Sequence, residues 1–241
     1  MLSMKKASDL KIPFVWAERR PVLLERFLYV PDHYDQHDRW TLVPWTDPAV
    51  FGNSQPVAIE YCSGNGQWIC EKAKQNPEIN WVAVDIRFDR CRKTWLRTHR
   101  ENLPNVYIMC GDANLLNRYY IPKRSLSEIF VNFPDPWPKL RHAKHRLIQA
   151  PFLKEVAEAA LPGAYATFVT DDEPYATQML RELNASPYWS PRLPPPYLSM
   201  EWPDYGSSYF FDLWKKKGRN IHFLPFALKN DENFTSLPYD G

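Results

Sequence analysis

Through residue 55 the hydrophobic and polar positions follow neither a two-residue nor a 3.6-residue period, and Pro13, Pro21, Pro31, Pro44 and Pro48 interrupt each run. One short helix near Arg20–Leu28 is the only regular element expected there. From residue 56 short apolar runs alternate with amphipathic ones. Val57–Cys62, Trp81–Ile86, Val106–Cys110, Ile129–Phe133 and Ala164–Thr170 read as strands, and Gln67–Gln75, Phe88–Glu101, Arg146–Leu161 and Glu173–Asn184 as helices. Such alternation predicts right-handed βαβ crossovers, hence an α/β fold whose mostly parallel sheet carries helices on both faces. Residues 185–205 are proline-rich and predict a semi-rigid loop; Tyr209–Trp214 predicts a last strand, antiparallel at one end; the tail to Gly241 is weakly patterned. The expected organisation is an irregular basic arm over 1–55, a catalytic domain over 56–218 and a tail over 219–241.

Composition changes this picture little. A hydrophobic content of 44% supports a core, and a net charge of +2 announces no polyanionic partner, so any such argument has to come from local clusters. The cysteines, Cys62, Cys70, Cys91 and Cys110, form no C-x-x-C pair and no zinc spacing with histidine, so no metal site is expected. Cys62 and Cys110 lie in apolar runs and read as buried thiols of a reducing compartment. Met1–Leu10 lacks an apolar stretch, so neither a secretory signal nor a membrane span is expected, and a cytoplasmic protein is the default.

Acidic residues mark the ends of the expected strands: Glu60, Asp85, Asp112, Asp135 and Asp171. In an open parallel sheet ligands bind outside the carboxyl ends of the strands, so these five would line one rim; alternatively each caps the helix that follows. The turn Glu60-x-x-x-Gly64-x-Gly66 lacks the third glycine of a dinucleotide fingerprint, since Ile69 stands where it belongs. Two glycines, a strand-end Glu60, an Asp85 suited to ribose hydroxyls and Asp112-Ala113 near an adenine edge suit S-adenosylmethionine better than NAD.

Phe133-Pro134-Asp135-Pro136-Trp137-Pro138-Lys139 is a stiff segment, with three prolines that lack backbone donors and fix φ. It runs into a dense basic stretch, Lys139, Arg141, His142, Lys144, His145 and Arg146, which is either a solvated face or a phosphate track. Arg90–Arg100 and the N-terminal basic residues would extend such a track. Trp137 and Tyr175 are candidates for packing near a base, with core packing the plainer reading of Tyr175. No nucleophile has an evident base partner.

Three stretches carry a resemblance. They are Phe133-Pro-Asp-Pro-Trp-Pro-Lys139-x-Arg141-His142-x-Lys144-x-Arg146, Thr170-Asp171-x-Glu173-x-Tyr175-Ala176, and the order Glu60, Asp85, Gly111-Asp112-Ala113. Together they resemble the bacterial tRNA (guanine-N7-)-methyltransferases of the TrmB family over about residues 56–184. The resemblance implies a class I, Rossmann-like S-adenosylmethionine-dependent methyltransferase acting on N7 of guanine 46 in the tRNA variable loop. It implies Asp135 as the catalytic residue, and Glu60, Gly64, Gly66, Asp85, Asp112, Ala113 and Asp135 around the cofactor. Lys139, Arg141, His142, Lys144, Arg146, Asp171 and Ser207 fall on its substrate- and RNA-contacting positions. tRNA is the implied partner, with no metal, no membrane and no obligate protein partner, in a monomer or homodimer. The chain departs from the family at Cys62, where the turn carries glycine, and at Ser207-Ser208-Tyr209-Phe210, which stands for Thr-x-Phe-Glu. Other readings are a methyltransferase on another RNA or on protein, a non-catalytic tRNA-binding module, and an oxidoreductase.

Overall fold

The structure, a computed structural model, describes residues 20–229; the expectations that rest on Lys5, Lys6, Lys11, Phe14, Trp16 and Arg19 and on the last residues lie outside them. A nine-stranded sheet organises the described residues, in the order β1 (Val22–Leu24), β2 (Phe27–Tyr29), β5, β4, β3, β6, β7, β9 (His222–Leu228) and β8 (Trp189–Pro191). Its parallel centre is β3 (Val57–Tyr61), β4 (Asn80–Asp85), β5 (Val106–Cys110), β6 (Leu126–Asn132) and β7 (Ala160–Thr170). The connecting helices are α1 (Gln67–Gln75), α2 (Phe88–Glu101), α3 (Ala113–Tyr119), α4 (Ala150–Ala159) and α5 (Glu173–Ala185).

Two apolar clusters sit on opposite faces of the sheet, and the strands feed them alternately. Val57, Ile59 and Tyr61 enter one cluster while Ala58 enters the other. Val82 and Val84 are likewise opposed to Trp81 and Ala83. This is the two-residue period of a strand, and covering both faces explains why the strands read as continuous apolar runs. Among the described residues no helix is long and apolar enough to cross a membrane.

Besides α3, which the hydrophobic pattern does not predict, four elements differ from the sequence expectation. Arg20–Leu28 is no helix: β1 (Val22–Leu24) and β2 (Phe27–Tyr29) form a hairpin, and β2 runs parallel beside β5. Its turn residues Glu25 and Arg26 take φ of 45° and 60°, a geometry that sequence normally signals with Asn-Gly. The helix expected over Arg146–Leu161 is shorter, because residues 140–145 form a 3-10 turn and Pro151 sits in the first turn of α4. Tyr209–Trp214 lies in α6 (Tyr209–Lys216), capped by Ser208, whose Oγ accepts from Phe211 N at 3.1 Å. The antiparallel strand is instead β9 (His222–Leu228), between β7 and the short β8 (Trp189–Pro191), so the sheet draws on residues beyond 218. Pro225 in the middle of β9 argues against a central strand on sequence grounds.

Candidate active site

Strand β3 has β4 on one side and β6 on the other. The chain runs outward from β3 through β4 to β5 and then returns to the opposite side, so the strand order reverses at β3 and opens a crevice at its carboxyl end. A cleft of about 230 Å³ lies there, lined from the sheet side by Glu60, Cys62, Gly64, Asn132 and Phe133 and from the other side by Ser208, Tyr209 and Phe210. Arg87, Arg90 and Lys93, from the start of α2, also line it.

The two strand ends are tied across the reversal. Asn132 Nδ2 donates to Glu60 Oε1 at 2.7 Å, with both residues buried. Glu60 Oε2, Asn132 Oδ1 and Ser63 Oγ are buried without a hydrogen-bond partner, and all three residues line the cleft. A protein rarely leaves such oxygens unsatisfied unless something else supplies donors. Burial is the main cause that pushes the Glu60 carboxyl from 4.5 up to about 8, and nearby Asp85 adds to it.

The glycine turn holds a second carboxylate. Gly64 and Gly66 have φ of 56° and 70°, and Gly66 packs so closely on α2 that a Cβ would meet the Thr94 side chain at 2.5 Å. Asp85 accepts from Gly64 N and from Arg87 N, each at 2.9 Å, and Arg90 Nη1 stands 3.6 Å from it. It thus clamps the two loops that frame the cleft. Burial outweighs these partners and raises its carboxyl above the usual range. Cys62 takes φ of 62°, a left-handed conformation that costs a residue with a Cβ on the order of 1 kcal/mol. Burial holds its thiol well above the ordinary value, and Asp85, Asp135 and Glu60 push it the same way.

Asp135 is exposed and, among the described residues, accepts no hydrogen bond and forms no ion pair. Its loop is fixed instead by neighbours. Phe133 N donates to Val169 O at 2.8 Å, and Arg146 Nε donates to Pro136 O at 2.6 Å. The Arg146 guanidinium also reaches Gln178 Oε1 and Trp137 O and lies 4.9 Å over the Tyr175 ring. Arg146 is buried, and so is Tyr175; the two form the floor of the loop and neither offers a surface to RNA. Lys139, Arg141 and Lys144 stay exposed, while His142 is half-buried.

The other expected residues are more scattered. Asp112 caps α3, accepting from Asn114 N at 2.9 Å and Leu115 N at 3.1 Å, and Ala113 begins that helix. Asp171 pairs with Arg219, while the cap of α5 is Asp172. Ser207 donates to Asp212 at 2.6 Å, and its neighbour Ser208 lines the cleft. Sequence reasoning assigns no role to Asn132 or Arg87, places Arg90 on an RNA track and reads Ser207–Phe210 as a substrate motif, whereas Asn132, Arg87, Arg90 and Ser208–Phe210 all line this cleft; Asn132 carries a signal, as the polar residue closing an apolar strand.

The unpartnered oxygens at the Glu60 end of the cleft fit an amino-acid-bearing nucleoside. A protonated amine and ribose hydroxyls bring the donors that Glu60, Ser63 and Asn132 lack, and the exposed Ile86 beyond Asp85 offers an apolar surface to a base.

A family model described as a putative methyltransferase matches residues 54–198. The chain is 42% identical over 224 residues to a tRNA (guanine-N(7)-)-methyltransferase of Chlamydia felis, covering 93% of this chain and 98% of that protein. It is 33% identical to the protein of the same name from Rubrobacter xylanophilus, covering 77% and 82% respectively. Among solved structures the 16S rRNA methyltransferase KamB aligns with a TM-score of 0.56 at 17% identity, over 74% of this chain and 90% of that one, a likeness of fold.

Proposed function

The chain belongs to the family of tRNA (guanine-N7-)-methyltransferases, and from that membership we propose that it methylates N7 of guanine 46 in the variable loop of tRNA, in the cytoplasm, with S-adenosylmethionine as the methyl donor. The observation that carries this assignment to residues is the set of buried, partnerless oxygens of Glu60, Ser63 and Asn132 that line the cleft at the strand-order reversal, where Phe133 leads into the rigid Pro134–Pro138 loop.

When bound, S-adenosylmethionine supplies an electrophilic methyl group on a sulfonium. The cleft residues that would hold it are Glu60 and Asn132 at the amino-acid end and Gly64 in the turn that Asp85 fixes; Gly66, Asp112 and Ala113, outside the cleft's lining, would complete the cofactor site by family membership alone. Guanine N7 carries a lone pair and no proton, so no side chain has to act as a base there. Alignment of the acceptor is the main task, and a rigid loop suits it. Asp135 orients the guanine edge, and its charge offsets the positive charge that grows on the imidazole ring as N7 is alkylated. Lys139, Arg141 and Lys144, exposed just beyond it, take the RNA backbone, with His142 at their side. Asp171 contacts the substrate after exchanging Arg219 for it, and Ser208, rather than Ser207, is the C-terminal hydroxyl at the cleft.

Incubation of the purified protein with methyl-labelled S-adenosylmethionine and unmodified tRNA tests the assignment. Label should appear as 7-methylguanosine; label in another nucleoside, or in protein, would contradict it.

Glu60 gives a second expected outcome. Its folded pKa of about 8 exceeds the unfolded value near 4.5, so its contribution to stability is present in full below about pH 4.5 and is lost as the pH rises through about 8. At pH 6.5 the carboxyl is protonated, and a cation placed beside it should release that proton. Calorimetry of S-adenosylmethionine binding in buffers of different ionisation enthalpy should therefore show proton release by the wild type and none by Glu60→Gln, which should bind about tenfold more weakly. Equal release by both proteins would remove Glu60 from the cofactor's amine.

A further inference from the structure

We infer that Trp137 is a stacking platform for the unpaired nucleobase next to the methylated guanine. Trp137 is the only exposed tryptophan among the described residues, at 38% exposure, whereas Trp45, Trp68, Trp81, Trp95 and Trp189 are buried in the core. Its backbone takes φ of 42°, which is unfavourable for a residue with a large side chain. Arg146 is committed beneath it to the carbonyls of Pro136 and Trp137 itself. His142 meets the indole edge-on at 5.8 Å, and His145 lies tilted against it at 5.3 Å, so the ring is propped rather than free.

None of this adds to the core. A strained backbone, a buried arginine and two imidazoles together hold an indole out in water, and such strain persists where binding uses it. The ring stands two residues from Asp135, with Lys139, Arg141 and Lys144 exposed around it. The platform supposes that the guanine leaves its stack to enter the cleft, as bases modified in a pocket do, which strips the neighbouring base of one face. An indole beside the catalytic carboxylate replaces that lost face. The contact needs no particular base, because every base has a π-face. This role rests on the RNA reading of the site.

A double-mutant cycle tests it. Wild type and Trp137→Ala are assayed on intact tRNA and on tRNA carrying an abasic nucleotide on the 5′ or the 3′ side of the target guanine. Trp137→Ala should raise KM for intact tRNA about tenfold, as loss of one stacked base would, with the thermal midpoint and cofactor affinity unchanged. Trp137→Phe should recover most of the loss. One of the abasic tRNAs should cost the wild type a similar factor and cost Trp137→Ala nothing more. Independent losses that multiply to about a hundredfold, or an unchanged KM in Trp137→Ala, would overturn the platform. If the wild type labels none of the three tRNAs, the RNA reading itself fails, and the platform with it.

Discussion

Asp135→Ala is expected to slow methyl transfer by roughly two to three orders of magnitude while leaving the fold and its thermal midpoint unchanged. The two halves of this expectation have separate causes. The loss in rate follows from removing a fixed charge at the place where positive charge develops on the guanine ring, an effect that acts in the transition state more than in binding. The unchanged stability follows from what the carboxylate does not do. It is exposed, accepts no hydrogen bond among the described residues, and leaves its loop anchored through Phe133 and Arg146. Asp85 is the contrast, since it holds Gly64, Arg87 and Arg90 together, and its loss would confuse structure with chemistry. Single-turnover rates with saturating tRNA and cofactor, beside a thermal melt, measure both halves. An equally active Asp135→Ala would remove the residue from the reaction, and a large drop in the midpoint would make its role architectural.

Arg146→Ala should lower stability by about 2–3 kcal/mol, or about 5–10 °C in Tm for a chain of this size, and reduce kcat at least tenfold. Its guanidinium is buried, fills the gap between the Pro136 and Trp137 carbonyls and Gln178, and stacks on Tyr175. Alanine leaves those carbonyls and a buried ring face without their partner. The loop that carries Asp135 then loses its floor, so the rate falls through misplacement of a residue eleven positions away. Arg146→Lys keeps the charge but not the planar fork, and should recover little. Lys144→Ala, by contrast, changes an exposed cation and should raise KM for tRNA and weaken its salt dependence with no effect on Tm. If Arg146→Ala melts like the wild type and loses only RNA affinity, the residue is a phosphate contact and not a clamp.

Arg146 also illustrates where sequence reading stops. In a run of alternating basic residues nothing distinguishes the one that turns inward. The 3-10 turn over 140–145 decides it, because three residues per turn bring position 146 back to the inner side while Arg141 and Lys144 point out. The rim carboxylates were legible for the opposite reason. Glu60, Asp85, Asp112, Asp135 and Asp171 each lie within two residues of the end of an apolar run, and parallel strands buried on both faces make such runs conspicuous. Which of the five are tied to helix ends needed coordinates: Asp112 caps a helix, whereas Asp171 does not and its neighbour Asp172 does. The C-terminal part was least legible. Tyr209–Trp214 is an aromatic run with strand-like composition, yet Phe210, Phe211 and Trp214 have helical spacing, and Ser208 provides the cap. Pro225 concealed β9.

The central claim is that one guanine N7 is brought to Asp135 at the end of β6. The most direct measurement uses tRNA in which guanine 46 alone is replaced by 7-deazaguanine, which keeps the ring and the pairing edge but carries C–H where N7 stood. The expected result is unchanged tRNA binding with no methyl transfer; methylation of that tRNA at the wild-type rate would contradict the account.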